Sequence, residues 1–298
     1  MEEDFARART LGGRLSRQHH DTYPYIDPKK VNLKGKSVLI TGASKGIGKA
    51  TAISYAQAGA SNIALGARSY LDSTVTAVLE AAKAAGHPPP RITTLNLDVT
   101  SASSVSAAAL QVSKDFDGRL DILINNAGYL HKLSSIPDSD PEDWWRTFEV
   151  NIKGPYLIFH AFYPLLRQSS LKTVINVVSL IGVSTLPQHS GYALSKLAAL
   201  RLTQYISQDH GEGKEGIVAI GVHPGAIATD MTLTMPEELH HVLTETKELA
   251  GDAMVWLGAE RREWLGGRYV SVCWDFEELS EKKGEIVEGD LLKIRLVV

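Results

Sequence analysis

Short apolar runs alternate with longer Ala- and Leu-rich segments from Val38 to Cys273. Seven of the runs are rich in β-branched residues and predict strands: SVLI, NIALGA, RITTLNL, LDILIN, TVINVV, IVAIGV and RYVSV. The segments between the first six are long enough for crossover helices, and such apolar strands are typical of a parallel sheet covered on both faces. The pattern predicts a single-domain α/β fold of the doubly wound Rossmann type, with a mainly parallel seven-stranded sheet and helices on both faces.

Two segments lie outside this alternation. Residues 1–34 form a polar N-terminal extension that contains HHDTYPYIDP, and residues from about 274 to 298 form an acidic tail. We assign residues 35–298, tail included, to one domain. HPPP at 87–90 and SSIPDSDPED at 134–143 are predicted to be loops because of their proline and turn-residue content.

Composition narrows the classes of partner and compartment. The formal charge of −3 and the pI near 6.4 give no broad positive field for nucleic acid or an anionic membrane. No run approaches the roughly 18 apolar residues of a membrane span, and MEEDFARART lacks the apolar core of a signal peptide. Cys273 is the one cysteine, which excludes an intrachain disulfide and fits a reducing compartment. We expect a soluble, cytoplasmic protein.

The residues after the predicted strands are candidates for ligand binding, because open parallel sheets bind ligands at the carboxyl ends of their strands. The first strand is followed by glycines at Gly42, Gly46 and Gly48. A triphosphate-binding loop would need Gly where Ala43 stands and Ser or Thr where Ala50 stands. The glycines still provide a tight turn and a helix N-terminus suited to a pyrophosphate, with a purely structural turn as the alternative.

A second candidate is the pair Tyr192 and Lys196, which lie one turn apart in the helical pattern GYALSKLAALRLTQYI. A phenol has a reference pKa near 10, and a nearby ammonium group stabilises its phenolate. The pair is therefore a candidate general acid/base, the alternative being a core ring beside a solvated charge. Ser179, just after the fifth strand, supplies a further hydroxyl.

Together these residues resemble the short-chain dehydrogenases/reductases. The resemblance covers residues 33–273 and is carried by Thr41-Gly42-Ala43-Ser44-Lys45-Gly46-Ile47-Gly48, Asp98, Asn125-Asn126-Ala127-Gly128, Asn151, Ser179, Tyr192-x-x-x-Lys196 and Pro224-Gly225 with Thr229. It implies a nicotinamide cofactor bound across the strand ends and hydride transfer to or from a carbonyl or alcohol substrate. N-terminal and C-terminal segments such as these are similar to those of members from filamentous fungi, several of which reduce ketones or aldehydes in secondary metabolism.

The resemblance also implies residue roles. Tyr192 would be the general acid/base, Ser179 would hydrogen-bond the reacting oxygen, Lys196 would bind the nicotinamide ribose and lower the pKa of the tyrosine, and Asn151 would hold a water of a proton relay. The implied cofactor-binding residues are Gly42, Ser44, Lys45, Gly46, Ile47, Gly48, Arg68, Asp98, Val99, Asn125, Ala127, Gly128, Tyr192, Lys196, Pro224, Gly225, Ile227 and Thr229. Asp98 would reach the adenine, and Thr229 with the backbone after Pro224 would hold the carboxamide.

Charge at the end of the second strand favours NADP(H) over NAD(H). An acidic residue commonly accepts the ribose hydroxyls of NAD at this position, but here Ala67 is followed by Arg68 and Ser69. Arg68 and Lys45 can face a 2′-phosphate with no carboxylate to repel it. The alternative is that both are solvated surface charges.

The segments that frame the substrate are largely apolar, which favours a lipophilic carbonyl compound. The residues concerned are Leu130, Leu180, Val183, Leu186, Met231, Leu233 and Met235. They could instead close the loops against the core. His131, His189, His240 and His241 lack metal-ligand spacing with carboxylates or the cysteine, so we assign no metal. Trp144 and Trp145 lie in a predicted amphipathic helix and are expected to pack.

The leading hypothesis is an NADP-dependent carbonyl reductase or alcohol dehydrogenase acting on a small molecule. The alternatives are an epimerase or dehydratase on the same scaffold and a non-catalytic nucleotide-sensing protein. The resemblance further implies a homodimer or homotetramer built through the helices before and after the fifth strand.

Overall fold

The computed structural model describes residues 15–296, and in that range the chain forms one seven-stranded parallel sheet of order β3-β2-β1-β4-β5-β6-β7. The strands are β1 Ser37–Thr41, β2 Asn62–Ala67, β3 Arg91–Asn96, β4 Ile122–Asn125, β5 Thr173–Val177, β6 Val218–His223 and β7 Tyr269–Ser271. Every neighbouring pair is parallel. The predicted doubly wound fold is confirmed.

Helices cover both faces of this sheet. They are α1 Gly46–Gln57, α2 Asp72–Ala84, α3 Ala102–Asp115, α4 Pro141–Phe148, α5 Gly154–Arg167, α6 Ser190–His210, α7 Lys247–Ala259, α8 Phe276–Glu281 and α9 Lys283–Glu288. A π-helical turn, Glu149–Lys153, joins α4 to α5. Within residues 15–296, no helix has the length and apolar character needed to cross a bilayer.

Alternate residues of β1 pack into different halves of the core. Val38 and Ile40 belong to one buried cluster with Tyr55 of α1, whereas Leu39 belongs to the other with Phe162 of α5. All five positions of the strand are buried. This two-sided burial explains why β1 is a largely apolar run rather than an alternating one.

The segment predicted as a loop at 134–143 is partly helical, so that prediction is wrong at its end. Helix α4 begins at Pro141, whose fixed φ suits the first helical position. The side chain of Asp140 accepts hydrogen bonds from the backbone N–H groups of Glu142 and Asp143, which caps the helix. The same proline and aspartate content that favours a loop therefore starts a helix here.

The described part of the N-terminal extension packs on the domain. Leu15 and Ile26 are buried, and Gln18 forms an antiparallel bridge with Trp274 just after β7. The tail forms α8 and α9 and packs back on the same region. Residues 1–14 of the extension and residues 297–298 of the tail lie outside the described residues.

The order of the strands fixes where a ligand cleft can form. The chain crosses from β3 at one edge of the sheet back to β4, which pairs with β1. The connections after β1 and β4 therefore diverge, and a crevice opens at the carboxyl ends of these two strands.

Candidate active site

The turn after β1 is shaped by Gly42, Gly46 and Gly48. Gly42 and Gly46 have φ values of 67° and 56°, the left-handed region that favours glycine. A Cβ on Gly48 would lie 2.3 Å from the carbonyl oxygen of Gly42, so a side chain would collide with the backbone. The turn thereby leaves bare backbone at the N-terminus of α1, where N–H groups and the helix dipole favour an anion. The pyrophosphate of a dinucleotide fits this cradle.

Hydroxyl groups hold the rest of this turn in place. Thr74 of α2 donates to the carbonyl oxygens of Ala43 and Ser44 at 3.0 and 3.3 Å. Within α1, Thr51 donates to the carbonyl oxygen of Ile47 at 2.8 Å. The backbone of the predicted pyrophosphate loop is therefore fixed by the protein itself.

Asn126 ties the turn after β1 to the end of β4, and its role was not singled out from the sequence. Its side-chain Nδ2 donates to the carbonyl oxygens of Thr41 and Gly42 at 2.9 and 3.2 Å. In return, the hydroxyl of Thr41 accepts from the N–H groups of Asn126 and Ala127, both at 3.0 Å. These four bonds span the floor of the crevice. The signal available was the position of Asn126 within the motif Asn125–Gly128.

The side chain of Asn125 points away from the crevice. It is buried, and its Nδ2 donates to Oδ1 of Asn176, its neighbour in register on β5, at 2.8 Å. Asn176 in turn donates to the hydroxyl of Thr203 on α6 at 2.8 Å. Because its side chain is bonded within the core, Asn125 could contact a cofactor in the crevice only through its backbone.

Ser179 and Tyr192 are brought together from different elements. Ser179 follows β5 and caps a short 3₁₀ turn, Leu180–Val183, whereas Tyr192 lies in the first turn of α6. The Ser179 side chain lies near enough to the Tyr192 phenol to lower its pKa. A Cβ on Gly182 would lie 2.9 Å from the backbone of Lys196, so this glycine allows the 3₁₀ turn to pack closely against α6.

Lys196 is buried beside this pair. Its Nζ atom donates to the carbonyl oxygen of Val177 at 2.7 Å and lies 5.7 Å from the centroid of the Tyr192 ring. A Cβ on Gly128 would lie 3.7 Å from that Nζ atom and 3.6 Å from Oδ1 of Asn151. The predicted serine, tyrosine, lysine and asparagine therefore converge in the structure.

Asn151 occupies the π-helical turn between α4 and α5. Its Nδ2 donates to the carbonyl oxygen of Tyr129 at 2.9 Å and to the hydroxyl of Ser195 at 3.0 Å, while its Oδ1 accepts from the N–H of Tyr129 at 2.9 Å. A π turn inside a helical run often marks a functional site. The side chain holds the loop after β4 against α6, and the proton-relay role of Asn151 stays a prediction.

Burial dominates the electrostatics of the pair. It raises the pKa of Tyr192 to about 12, although the nearby Ser179 side chain acts in the opposite direction. Burial also lowers the pKa of Lys196 to about 8. Desolvation outweighs the opposing effect of Ser179 on the tyrosine pKa, and the lowering of that pKa by Lys196 stays a prediction.

At the far end of the crevice, Arg68 is exposed just after β2 and Asp98 is partly buried after β3. Asp98 accepts hydrogen bonds from the N–H and hydroxyl of Thr100 at 2.9 and 2.8 Å. These bonds lower the pKa of Asp98, and the positive charge of Arg68 lowers it further. Val99 is also buried. A Cβ on Gly154 would lie 2.9 Å from Cγ2 of Val99, so the glycine lets the start of α5 pack closely against this valine.

Lys45 makes a contact that the sequence did not predict. Its Nζ atom lies 2.5 Å from Oδ2 of Asp230, and the two side chains are 68% and 70% exposed. The hydrogen bond from Lys45 lowers the pKa of Asp230. Exposed ion pairs are weak and screened by salt, so Lys45 can leave Asp230 and bind another anion at little cost in free energy.

The β6–α7 loop, residues 224–246, carries the remaining predicted cofactor residues. Pro224 and Ile227 are buried, and Gly225 has a φ of 94°, again in the left-handed region. A Cβ on Gly46 would lie 3.5 Å from Cγ2 of Thr229, which shows that this loop closes over the glycine turn. The two segments predicted to bind the cofactor therefore lie on opposite sides of one crevice.

Only some of the residues predicted to form an apolar substrate wall are exposed. Met231 lies near Lys196: a Cβ on Gly128 would be 3.4 Å from Cε of Met231 and 3.7 Å from Nζ of Lys196. The other members range from buried (Leu180) through half-buried (Leu130, Leu186, Met235) to exposed (Val183, Leu233).

His131 is a polar residue in this wall whose role the sequence did not show. It is 2% exposed, and neither ring nitrogen has a hydrogen-bond partner among residues 15–296. Burial lowers its pKa, so the ring is neutral near pH 7; the charges of Asp143 and His189 act on it as well. His189 lies just before α6, three residues from Tyr192. The spacing of residues in the sequence could not show that this imidazole is buried without partners, because the groups around it come from separate parts of the chain.

The two tryptophans of α4 differ. Nε1 of Trp144 donates to the hydroxyl of Ser190 at 3.0 Å, and a Cβ on Gly191 would lie 2.9 Å from its ring, so it packs as expected against the start of α6. Trp145 is 56% exposed, but its ring stacks on those of Trp144 and Phe148, so it packs within α4 rather than into the core. In the described range, no three His, Cys, Asp or Glu side chains converge as a metal site.

Comparison with known proteins agrees with this geometry. The family model described as short chain dehydrogenase matches residues 36–240. Short chain dehydrogenase mpl6 of Monascus purpureus is 48% identical over 284 residues, 95% of this chain and 96% of its own length. Short chain dehydrogenase pigC of Monascus ruber is 45% identical over 285 residues, 94% of this chain and 92% of its own length. Both bear out the predicted resemblance to fungal members.

Solved structures show the same fold. Levodione reductase superposes with a TM-score of 0.72 at 24% identity, over 83% of this chain and 98% of its own. A 7α-hydroxysteroid dehydrogenase solved with NADH and 7-oxo glycochenodeoxycholic acid gives a TM-score of 0.70 at 24% identity, over 85% of this chain and 97% of its own.

Proposed function

Since this chain belongs to the short-chain dehydrogenase family, whose members are oxidoreductases that bind a nicotinamide cofactor, we propose that it uses NADP(H). Its substrate would be a lipophilic ketone, aldehyde or secondary alcohol. The observation that carries the proposal is the convergence of Ser179 and Tyr192, with Lys196 buried beside them at the mouth of the dinucleotide crevice. The fold itself does not require these three side chains together.

In this proposal the bound nicotinamide supplies a hydride to the substrate carbon, or accepts one from it. Tyr192 donates its phenolic proton to the carbonyl oxygen in reduction, and takes a proton from the alcohol in oxidation. Ser179 hydrogen-bonds the same oxygen and stabilises the negative charge that develops there. Lys196, with its ammonium 5.7 Å from the centroid of the ring, favours the phenolate that remains after reduction.

The preference for NADP(H) is supported by the charges at the adenosine end. Ala67 ends β2 where a carboxylate would accept ribose hydroxyls, and Arg68 is exposed beside it. Arg68 can bind a 2′-phosphate with two parallel hydrogen bonds. Lys45 can add a second cation, since its ion pair with Asp230 is exposed and weak.

The substrate class is supported by the apolar residues around Met231, with one exception. The neutral imidazole of His131 has one donor and one acceptor, both without partners within residues 15–296. A buried polar group without partners destabilises the fold. We therefore infer that His131 bonds a polar substituent of an otherwise lipophilic substrate.

Compartment and assembly complete the proposal. The single cysteine, Cys273, fits the reducing cytoplasm. A homodimer or homotetramer is supported by aromatic and apolar side chains on α5 and α6: Tyr156, Leu194 and Tyr205 are 52%, 47% and 60% exposed. Light scattering during gel filtration tests the assembly, and a monomer at working concentration would contradict it.

The test of the function is a panel of lipophilic ketones and alcohols incubated with NADPH or NADP⁺. Product and nicotinamide absorbance are followed together, and we expect them to change in equal amounts. Product without a change in absorbance would indicate an epimerase or dehydratase instead. Cofactor binding without turnover of any member would favour a nucleotide sensor.

A further inference from the structure

The N-terminal segment, residues 15–31, contacts the β6–α7 loop through the side chains of His20 and Asp21. Nδ1 of His20 donates a hydrogen bond to Oε1 of Glu245 at 2.9 Å, across 225 positions of sequence. The backbone adds a second link, since the N–H of Thr246 donates to the carbonyl oxygen of His20 at 2.8 Å. The hydroxyl of Thr246 also donates to Oδ1 of Asp21 at 2.7 Å. The segment is thus attached at the end of this loop.

Glu245 closes the base of the same loop. Its Oε2 accepts from the N–H of Ala226 at 2.7 Å, and its own N–H donates to the carbonyl oxygen of Ala226 at 3.2 Å. Ile227 and Glu245 are also paired as an isolated parallel bridge. A Cβ on Gly225 would lie 2.9 Å from Cβ of Glu245, so the first and last segments of the loop are in direct contact. The side chain of Glu245 therefore sets the backbone at 225–227.

Burial makes Glu245 dependent on His20. The side chain of Glu245 is 2% exposed, whereas that of His20 is 53% exposed. Within residues 15–296, His20 is the one basic side chain within ion-pair distance of this carboxylate. The hydroxyl of Thr244 also donates to Oε1, at 3.1 Å. A buried carboxylate that loses a hydrogen-bond donor pays a desolvation cost, and it would shift to recover partners.

We propose that His20 is a positioning residue for the nicotinamide half of the cofactor site, acting through Glu245 on the backbone at 225–227. This inference rests on the proposed function, in which the backbone after Pro224 and Thr229 hold the carboxamide. Since the β6–α7 loop closes over the glycine turn, a shift at its base changes the nicotinamide side of the crevice. Arg68 and Asp98 lie at the ends of other strands, so the adenosine side is unchanged. On this proposal, the N-terminal segment at residues 15–31 supports the cofactor site through His20.

The test compares two probes that share the adenosine half. NADPH contains the nicotinamide, and 2′-phospho-ADP-ribose lacks it. Dissociation constants are measured by calorimetry for the native chain, His20→Ala and Glu245→Ala. We expect both variants to weaken NADPH about tenfold or more, the loss of a hydrogen bond to a charged group, while 2′-phospho-ADP-ribose binds about as tightly as before.

Three further variants separate positioning from general damage. His19→Ala is the matched control, because His19 is in the same segment but donates to Asp275 at 2.8 Å rather than to Glu245; we expect it to bind both probes like the native chain. His20→Gln and Glu245→Gln each keep a hydrogen-bonding pair at this contact and should recover most of the NADPH affinity. If an alanine variant does not fold, the corresponding glutamine variant provides the binding measurement in its place.

The outcomes are distinct. Equal weakening of both probes, or unchanged binding of NADPH by His20→Ala and His20→Gln, would overturn the inference and leave the proposed function standing. A native chain that binds neither probe would refute the proposed function and this inference with it.

Discussion

Nζ of Lys45 and Oδ2 of Asp230 lie 2.5 Å apart and join the glycine turn after β1 to the β6–α7 loop. The pair spans the crevice in which a dinucleotide is expected to bind. Since both side chains are largely exposed, the pair can open at little cost. If the proposed NADP(H) preference holds, Asp230 would therefore compete with the 2′-phosphate for Lys45.

Asp230→Asn is expected to strengthen NADP(H) binding modestly, by no more than about fivefold, because it releases a weak exposed pair. NAD(H) binding should change less, since that cofactor offers no 2′-phosphate to Lys45. Calorimetric titration with both cofactors checks this. Weaker NADP(H) binding by the variant would show that the pair supports the site instead of competing for it.

Arg68→Ala is expected to lower kcat/KM with NADP(H) about tenfold or more, because it removes charge-assisted hydrogen bonds to the phosphate. Values with NAD(H) should stay nearly constant, so the preference narrows or reverses. Arg68→Lys is the matched control, since it keeps the charge and should retain part of the preference. An unchanged preference in Arg68→Ala would refute the assignment of this residue.

Gly48→Ala is expected to lower Tm and cofactor affinity together. The added Cβ would lie 2.3 Å from the carbonyl oxygen of Gly42, and relieving such overpacking costs about 1–3 kcal/mol. Gly284→Ala in α9 is the matched control, since a Cβ there meets no atom within 4 Å; it should be neutral or slightly stabilising. Thermal melts with and without NADPH measure both effects. A fully stable Gly48→Ala chain would contradict the close approach of the two glycines.

Most of the sheet was predictable because the central strands β1, β4, β5 and β6 are buried at every position and keep a largely apolar signal. The edge strand β3 instead alternates between buried and exposed residues. β2 matches its predicted run, residues 62–67, at both ends. Helix α4 was the exception: Asp140 and Pro141 favour loops and helix starts alike, and only the hydrogen bonds that Asp140 accepts decide between them.

The main residues of the site were predictable because they follow strands or lie one helical turn apart. Their partners were not. The contact of Lys45 with Asp230 spans 185 positions and that of His20 with Glu245 spans 225. Such contacts depend on how loops pack, and neither periodicity nor motif spacing encodes that packing.

The pH dependence is expected to have opposite signs in the two directions. The pKa of Tyr192 is raised to about 12, so the phenol stays protonated near neutral pH and is ready to donate in reduction. In the proposed mechanism, oxidation would need the phenolate, whose fraction grows as pH rises toward that pKa. The pKa of Lys196 is lowered to about 8, so its charge disappears as pH rises through that value. Reduction should therefore be level below about pH 8 and fall above it, while oxidation rises from neutral pH.

Profiles of kcat/KM measured in both directions check these signs. An oxidation rate that stays level from neutral pH to about pH 8 would contradict the raised pKa of the phenol.

His131→Leu is expected to hold or raise Tm, because it removes two buried nitrogen atoms that lack partners within the described residues. For a substrate that bonds the imidazole, KM should rise about tenfold with a smaller change in kcat. Steady-state kinetics on the best ketone of the panel, alongside thermal melts, separates the two effects. A lower Tm with unchanged KM would mean that the imidazole serves the fold rather than the substrate.

The most direct test of the account is turnover of NADPH by Tyr192→Phe, which removes only the phenolic hydroxyl. With a ketone that the native chain reduces, kcat is expected to fall about a hundredfold or more, while the dissociation constant for NADPH stays within about twofold. Tyr205→Phe is the matched control, since that residue lies on α6 but is 60% exposed, and it should keep native kcat. Native turnover by Tyr192→Phe would contradict the assignment of Tyr192 as the general acid/base.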